Sequence, residues 1–525
     1  MIAVKAHPHR RSPGLVLKAG AAIFAAFVGL LLVVAAIRST AAQASREADP
    51  GRLYATRFSA GVSGLSANYA NCRFGVGGNV NGYDVAALNV GWHMDWSAQI
   101  SPTHPNGADY LQMVRLKPEL AGYSFTPPTG TLQIIAAANP GAIWLIGNEP
   151  DSPWQDKLWP EEYARAYHHL HNLIKQTDPS ARIGVGGIVQ PTPLRFQYLD
   201  RFLAAYQQFY GQRPPADLWN IHSYILREID ASDPDAYPNG AQYAVWGAYI
   251  PPGITATRGV LYTYSDMFST AIFQQRLLGF RTWLRDRGYR DTPLYITEYG
   301  ELFPYPPYVS AHYYDEYGVP VAEGRVAAFM TSTFDILLDL TDPATGYPAD
   351  ANRLVQRWLW YSVSDTGFGG PLFDPNTQRR PLGDAFSSYT HAISPSVDLL
   401  AVRVVADPPV MADTGRLQRT TLKATVSNIG NISITAPITV AFYSGRPPTG
   451  TLIRSMRVIT SGLAGCAEVA EVRATWSNLG AGAHPMYIEV DPGRTISETS
   501  RANNQAVGMF LVARYQFSLP LVRKN

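Results

Sequence analysis

The chain has 525 residues, is 46% hydrophobic and 16% charged, and carries a formal charge of +2; this excludes a disordered polymer and allows more than one domain with its own core. Two cysteines, Cys72 and Cys466, exclude a disulfide framework and a cysteine metal cluster, and a bridge between positions so remote is not expected. The positive charge belongs to the N-terminus: residues 1–44 hold five Lys/Arg and no Asp/Glu, and without them 38 basic side chains meet 41 acidic ones, a net of −3 with no basic footprint for nucleic acid.

Lys5, Arg10, Arg11 and Lys18 precede an uncharged apolar run from Ala19 to Ile37, and RSTAAQAS then sets Ala42 and Ala44 at signal-peptidase spacing. Residues 1–44 are read as an export signal cleaved after Ala44, with an uncleaved membrane anchor as the alternative, because the run is long enough to span. A secreted or surface-attached protein is expected.

From about residue 72 to 390 short apolar runs alternate with helical patterns. The runs are CRFGVG (72–77), ALNVGW (87–92), YLQMVRL (110–116), AIWLIGN (142–148), RIGVGGIV (182–189), DLWNIHSY (217–224), PLYITEYG (293–300) and RWLWYSV (357–363). Between them, Tyr163, Tyr167, Leu170 and Ile174 share one helix face, and Phe273, Leu277, Phe280 and Leu284 another. Continuous apolar strands with interleaved helices predict an α/β fold, a (β/α)8 TIM barrel over residues 51–392, with a doubly wound open sheet as the alternative; the first βα unit is short for that pattern. Around HAISPSV (391–397) helical patterns end. Ile438, Val440 and Phe442, then Met486, Ile488 and Val490, alternate with polar or small neighbours. Residues 397–513 therefore read as an all-β immunoglobulin-like sandwich of about seven strands, and 514–525 as an unassigned tail.

One run, IWLIGNEPD (143–151), turns abruptly polar at Asn148 and Glu149. The run PLYITEYG places Glu298 in the same position at the end of its own strand. In a barrel the chemistry sits at the C-terminal strand ends, so both carboxylates are expected at one mouth. Two carboxylates across a groove are the equipment of glycoside hydrolysis: one protonates the leaving oxygen, and the other attacks the anomeric carbon or directs water to it. Taken alone, NEPD reads better as a helix start, with Asn as cap, Glu in the first turn and Pro at N1. Glu301 follows Glu298 by three residues but lies beyond Gly300, so Glu298 is preferred.

WLIGNEP and YITEYG resemble the fourth- and seventh-strand motifs of clan A glycoside hydrolases. That resemblance implies Glu149 as acid/base, Glu298 as nucleophile, Asn148 on the sugar 2-hydroxyl, His222 in the subsite, Tyr224 beside the nucleophile, and Trp358 or Trp360 as an aromatic platform. VGWHMDWS (90–97), with RRPLGDAFSSY (379–389), is similar to the alkali-sensitive-linkage catalytic domain of glycoside hydrolase family 128, whose members act on β-1,3-glucans. Long segments at 226–268 and 301–320 depart from that family's compact pattern and leave xylan, mannan or galactan as alternative substrates. DLLAVRV, VSNIGN, GLAGCAEV and IEVDPGRTISETSRANN resemble the bacterial cell-adhesion-related domain known as CARDB. A non-catalytic polysaccharide-binding or adhesion protein is the rival reading.

The resemblance implies a retaining reaction with no metal or cofactor, carried out by a monomer on a polysaccharide. Trp96 is a candidate for sugar stacking. His93 is read equally as a structural hydrogen-bonding group, and Arg115 either orients a catalytic carboxylate or pairs with another. The aromatic stretch 303–318 reads either as a rigid packed loop or as an aromatic wall beside Glu298, and its position after the seventh strand favours the wall. The histidines of YHHLHN (167–172) flank the buried face and lack a completing ligand. FGVGGNVNG lacks the third glycine of a dinucleotide fingerprint.

Overall fold

The computed structural model describes residues 69–513 except 231, 234–247, 303–313, 366 and 460–461. The expected export segment, most of the aromatic stretch at 303–318 and the tail 514–525 lie outside the described residues.

Every apolar run anticipated as a parallel strand forms one. They are β1 (Asn71–Gly77), β2 (Val90–Met94), β4 (Gln112–Glu119), β6 (Ile143–Asn148), β7 (Arg182–Gly187), β8 (Trp219–His222), β9 (Leu294–Tyr299) and β10 (Arg357–Tyr361). Two short additions are β3 (Asp109–Tyr110), beside β2, and β5 (Gly122–Thr126), which folds back antiparallel on β4. The second strand starts later than anticipated, because Val85–Leu88 winds into a 3-10 turn capped by Asp84. That turn and a second one at Pro105–Gly107 stand where the first two crossover helices would be. From there on the helices follow: α1 (Thr129–Ala138), α2 (Pro160–Thr177), α3 (Pro193–Tyr210), α4 (Thr270–Asp286), α5 (Glu323–Asp339) and α6 (Pro381–His391). Proline opens α2, α3 and α6, where its missing N–H costs nothing.

The strands make two curled sheets, ordered β3-β2-β1-β10-β9-β8 and β5-β4-β6-β7. Parallel bridges Gly184↔Leu218 and Ile188↔Ile221 connect β7 to β8. On the other side, Leu111 N donates to His93 O (3.0 Å) and Met113 N to Ser97 O (2.9 Å). Side chains alternate between two apolar layers. Trp92, Met94, Leu111, Met113, Ile143, Leu145, Leu218, Tyr295 and Leu359 cluster together on one face, while Trp144, Ile146, Trp219, Ile221, Trp358 and Trp360 join the cluster that includes the helices.

The C-terminal strands form two further sheets, β11-β13-β16 and β12-β18-β17-β14-β15. Their ranges are β11 (Leu399–Asp407), β12 (Val410–Ala412), β13 (Gln418–Asn428), β14 (Ile438–Ser444), β15 (Thr451–Ile459), β16 (Glu468–Leu479), β17 (Gly482–Val490) and β18 (Gln505–Ala513). The anticipated alternation holds: Ile438, Val440, Phe442, Met486, Ile488 and Val490 are all buried in one cluster. Among the described residues this makes eight strands where about seven were anticipated, the short β12 being one of them.

The expectation that Cys72 and Cys466 stay unbridged is overturned. They form a disulfide with Cα atoms 5.9 Å apart, joining the start of β1 to the segment before β16. Arg73, the next residue, clamps Asp350 through both nitrogens (2.6 and 2.7 Å) and donates to Ile429 O (3.0 Å). Arg182, which begins β7, pairs with Glu468 at 2.6 Å. These ties all lie at or before the first residues of the parallel strands, so the all-β segment packs against the end of the parallel sheet remote from Glu149 and Glu298.

Candidate active site

Glu149 follows directly on β6, and Glu298 is the penultimate residue of β9. Strict alternation would group Glu298 with Leu294 and Ile296 on the helix side. A register shift on both flanks of β9 prevents this: β10 pairs Trp358 with Ile296 but Trp360 with Tyr299, and β8 pairs Ile221 with Ile296 but His222 with Glu298. The extra residue turns Glu298 inward and returns Tyr299 to the helix layer, as β-bulges do when they re-aim a side chain. Glu149 is aimed differently. Its backbone is left-handed (φ 44°), a conformation that costs a non-glycine residue about 1–3 kcal/mol and that clusters at functional sites.

The two carboxylates meet around His222. The imidazole Nδ1 is 2.8 Å from Glu149 Oε1, and Nε2 stands 3.5 Å from Glu298 Oε1, too long for a hydrogen bond. Donor atoms of Glu149, His222 and Glu298 all lie within 4.8 Å of one another. Gly187 at the end of β7 makes room for the ring, since a Cβ there would stand 2.7 Å from His222 Cδ2. Tyr224 OH donates to Glu298 Oε2 (3.1 Å), and the Trp96 indole N–H donates to Oε1. Trp96 is itself left-handed (φ 59°). Both carboxylate side chains keep about a tenth of their surface open to solvent. Glu301 is buried as well.

Burial pushes Glu298 up to about 7, reinforced by the charge of Glu149 and opposed by His222 and the Trp96 and Tyr224 donors. This is the carboxyl expected to stay ionised. Burial works against charge on His222, yet Glu298 and Glu149 outweigh it and hold the imidazole above its ordinary value. Glu298 and His222 therefore titrate as a linked pair, the charge on one favouring the opposite charge on the other.

Asn148 is buried; its Nδ2 lies 3.5 Å from Gln155 Oε1, and its Oδ1 has no hydrogen-bond partner among the described residues. Arg115 pairs with neither Glu149 nor Glu298 but with Asp156 (2.8 Å), whose other oxygen accepts from Asn148 N (2.8 Å) and Leu116 N (2.9 Å). His93 is structural, its Nε2 held by Thr103 O at 2.9 Å. Trp358 and Trp360 are corrections. Both are fully buried in the helix-side layer, and Trp360 Nε1 donates to Gly370 O. The aromatic ring that β10 brings to the site is Tyr361, with centroids 5.5 Å from Trp96 and 6.4 Å from Tyr224.

Sequence reasoning also missed a buried charge network behind Glu149. Asp151, Arg195 and Glu228 are fully buried. The Arg195 guanidinium bonds the Asp151 carboxylate, reaches Glu228 Oε1 (3.1 Å) and donates to Tyr249 O (2.7 Å). Asp151 belongs to the NEPD stretch, so half of the signal was visible; Arg195, on α3, had none. Among the described residues, Glu149, His222 and Glu298 are the one group of His, Cys, Asp and Glu that could hold a metal ion. The two N–H and O–H donors aimed at Glu298 suit an anion rather than a cation. The YHHLHN histidines do not converge: His168 stacks on Tyr210 (3.6 Å), and His169 meets Tyr123 OH (3.1 Å).

No family model and no curated protein matches the chain. Among solved structures it is similar to a GH128 (subgroup II) endo-β-1,3-glucanase from Sorangium cellulosum, with 18% identity, 61% of this chain and 98% of that one covered, and a TM-score of 0.37. A GH128 (subgroup I) endo-β-1,3-glucanase from Amycolatopsis mediterranei in complex with laminaritriose shows 19% identity over 60% and 99% of the two chains, with a TM-score of 0.37. A CARDB domain from Pyrococcus furiosus shows 21% identity over 23% of this chain and 99% of its own, with a TM-score of 0.20.

Proposed function

We propose that this chain is an exported retaining glycoside hydrolase that cleaves β-glycosidic bonds of a polysaccharide, with β-1,3-glucan as first candidate. In this reading the two curled sheets close as one (β/α)8 barrel, and the all-β segment is an immunoglobulin-like sandwich. The observation that carries the proposal is the meeting of Glu149 and Glu298, 149 positions apart, with their nearest oxygens within 4.8 Å. That spacing favours the short carboxyl gap of about 5–5.5 Å used for double displacement over the roughly 6.5–9.5 Å that leaves room for an inverting water.

Glu298 attacks the anomeric carbon. Trp96 and Tyr224 orient its two oxygens and stabilise its charge, and Glu149 protonates the departing oxygen. Water then enters, and Glu149, now ionised, takes its proton as the glycosyl ester breaks. His222, bonded to Glu149, holds that carboxyl and supplies the positive counterpart when the pair carries excess charge. The Oδ1 of Asn148 is free to accept from a sugar hydroxyl. The choice of β-1,3-glucan rests on the sequence motifs at 90–97 and 379–389. Export rests on residues 1–44 and on the disulfide, which persists in oxidising compartments.

The test is a polysaccharide panel with product analysis on wild type, E149Q and E298A. Wild type should hydrolyse a β-glycan with retention, and both variants should fall by several orders of magnitude. Azide should restore turnover, as an inverted glycosyl azide, to E298A and not to an E301A variant. Hydrolysis of no glycan by folded wild type returns the reading to a polysaccharide-binding protein.

A further inference from the structure

Trp154 is 69% exposed, although an indole is among the side chains that gain most from burial. Its place is set by the turn that carries Glu149. Ser152 N donates to Glu149 O (2.9 Å), Asp156 N to Asn148 O (3.3 Å) and Leu158 N to Pro150 O (2.9 Å), so the segment folds back over the strand end. The next residue, Gln155, is held by Arg115 Nη2 (2.8 Å) and approaches Asn148. The indole meets Tyr249 edge to face, with centroids 5.7 Å apart. The buried Arg195 guanidinium braces both partners, bonding Asp151 on the Trp154 side and the Tyr249 carbonyl on the other.

We propose that Trp154 and Tyr249 form the wall of an outer glycosyl subsite, taking a pyranose ring of the polysaccharide beyond the bond being cleaved. The proposal rests on the hydrolase reading and adds to it where the chain is gripped. A pyranose offers a face of C–H bonds that packs on the electron-rich face of an aromatic ring. A wall held in place before the ligand arrives avoids the cost of ordering a side chain on binding. Continuity selects a glycan over another occupant, because the turn bearing Trp154 is the turn bearing Glu149.

The experiment uses the full chain with E298Q, which binds without turnover, and measures calorimetric affinity for laminaribiose and laminarihexaose. Adding W154A should weaken the hexaose about tenfold while leaving the biose within about twofold. W154F should keep most of the hexaose affinity. W159A, at another exposed tryptophan (55%), should change neither. Unchanged hexaose affinity in W154A, with wild type hydrolysing the glucan, overturns the wall alone. Hydrolysis of no glycan by wild type overturns the reading beneath it and the wall with it.

Discussion

At the scale of single residues the fold opposes the charge on Glu298 and then organises donors around it. Its ordinary value is 4.5, and burial carries it to about 7. Between these two pH values the native state holds a proton that the unfolded chain has released. Stability contributed by this group is therefore present below about pH 4.5 and declines as pH rises to about 7, by roughly 3 kcal/mol in all. E298Q removes that dependence. Its unfolding midpoint should exceed that of wild type at pH 8, and the gap should shrink towards pH 5. Activity should run the other way, because in the proposed reaction only the ionised carboxylate attacks: kcat/KM of wild type should rise through about pH 7. Replacing Trp96 by Phe removes one donor to the anion, so that limb should move to higher pH. A limb unmoved in W96F would mean that the indole does not act on this carboxylate.

At the scale of elements, some of this site could be read in advance and some could not. Glu149 and Glu298 were legible because each ends an apolar run, and parallel strands deliver their C-terminal ends to one side, whereas Asn148, His222 and Tyr224 followed from the resemblance of their motifs to those of clan A. The choice between Trp358 and Trp360 failed for a physical reason. Strand β10 is apolar on both faces, so periodicity carries no information about which residues face the helices, and the ring presented to the site is Tyr361. The bulge in β9 was equally silent, with neither Gly nor Pro inside ITEY to announce it. Arg195 was hidden because a charged residue on a helix reads as a solvated flank. It is instead the counter-charge for two buried acids, Asp151 and Glu228. R195M should therefore lower stability by about 3–5 kcal/mol in urea unfolding, since two buried carboxylates lose their counter-charge. R195K should recover only part of this, because an ammonium cannot serve Asp151, Glu228 and the Tyr249 carbonyl in the same planar geometry. Full recovery by lysine would show that charge alone, and not the fork of the guanidinium, holds the turn behind Glu149.

At the scale of the whole molecule, chemistry and bracing occupy opposite ends of the parallel sheet. Strand β1 runs seven residues from Asn71, about 20 Å at strand rise, and the all-β segment is tied at its beginning. Three kinds of tie converge there: the Cys72–Cys466 disulfide, the fully buried Arg73–Asp350 pair with its bond to Ile429 O, and the surface pair Arg182–Glu468. The disulfide spans 394 positions, so it restrains the unfolded chain strongly, while the remaining ties include a small apolar cluster of Tyr347, Ala349, Ala467 and Val402 beside the polar ones. Removing it with C72S and C466S should lower stability by about 2–5 kcal/mol. The loss should also separate two unfolding transitions, because the two sets of sheets keep their own apolar clusters and lose the covalent link between them. The kcat at a temperature where both remain folded should stay at the wild-type value, since none of the described residues forming these ties touches Glu149 or Glu298. Differential scanning calorimetry beside initial rates checks both halves. A single unshifted transition would show that the noncovalent contacts alone hold the two parts together, and a fall in kcat without unfolding would show that the remote end is coupled to the carboxylates.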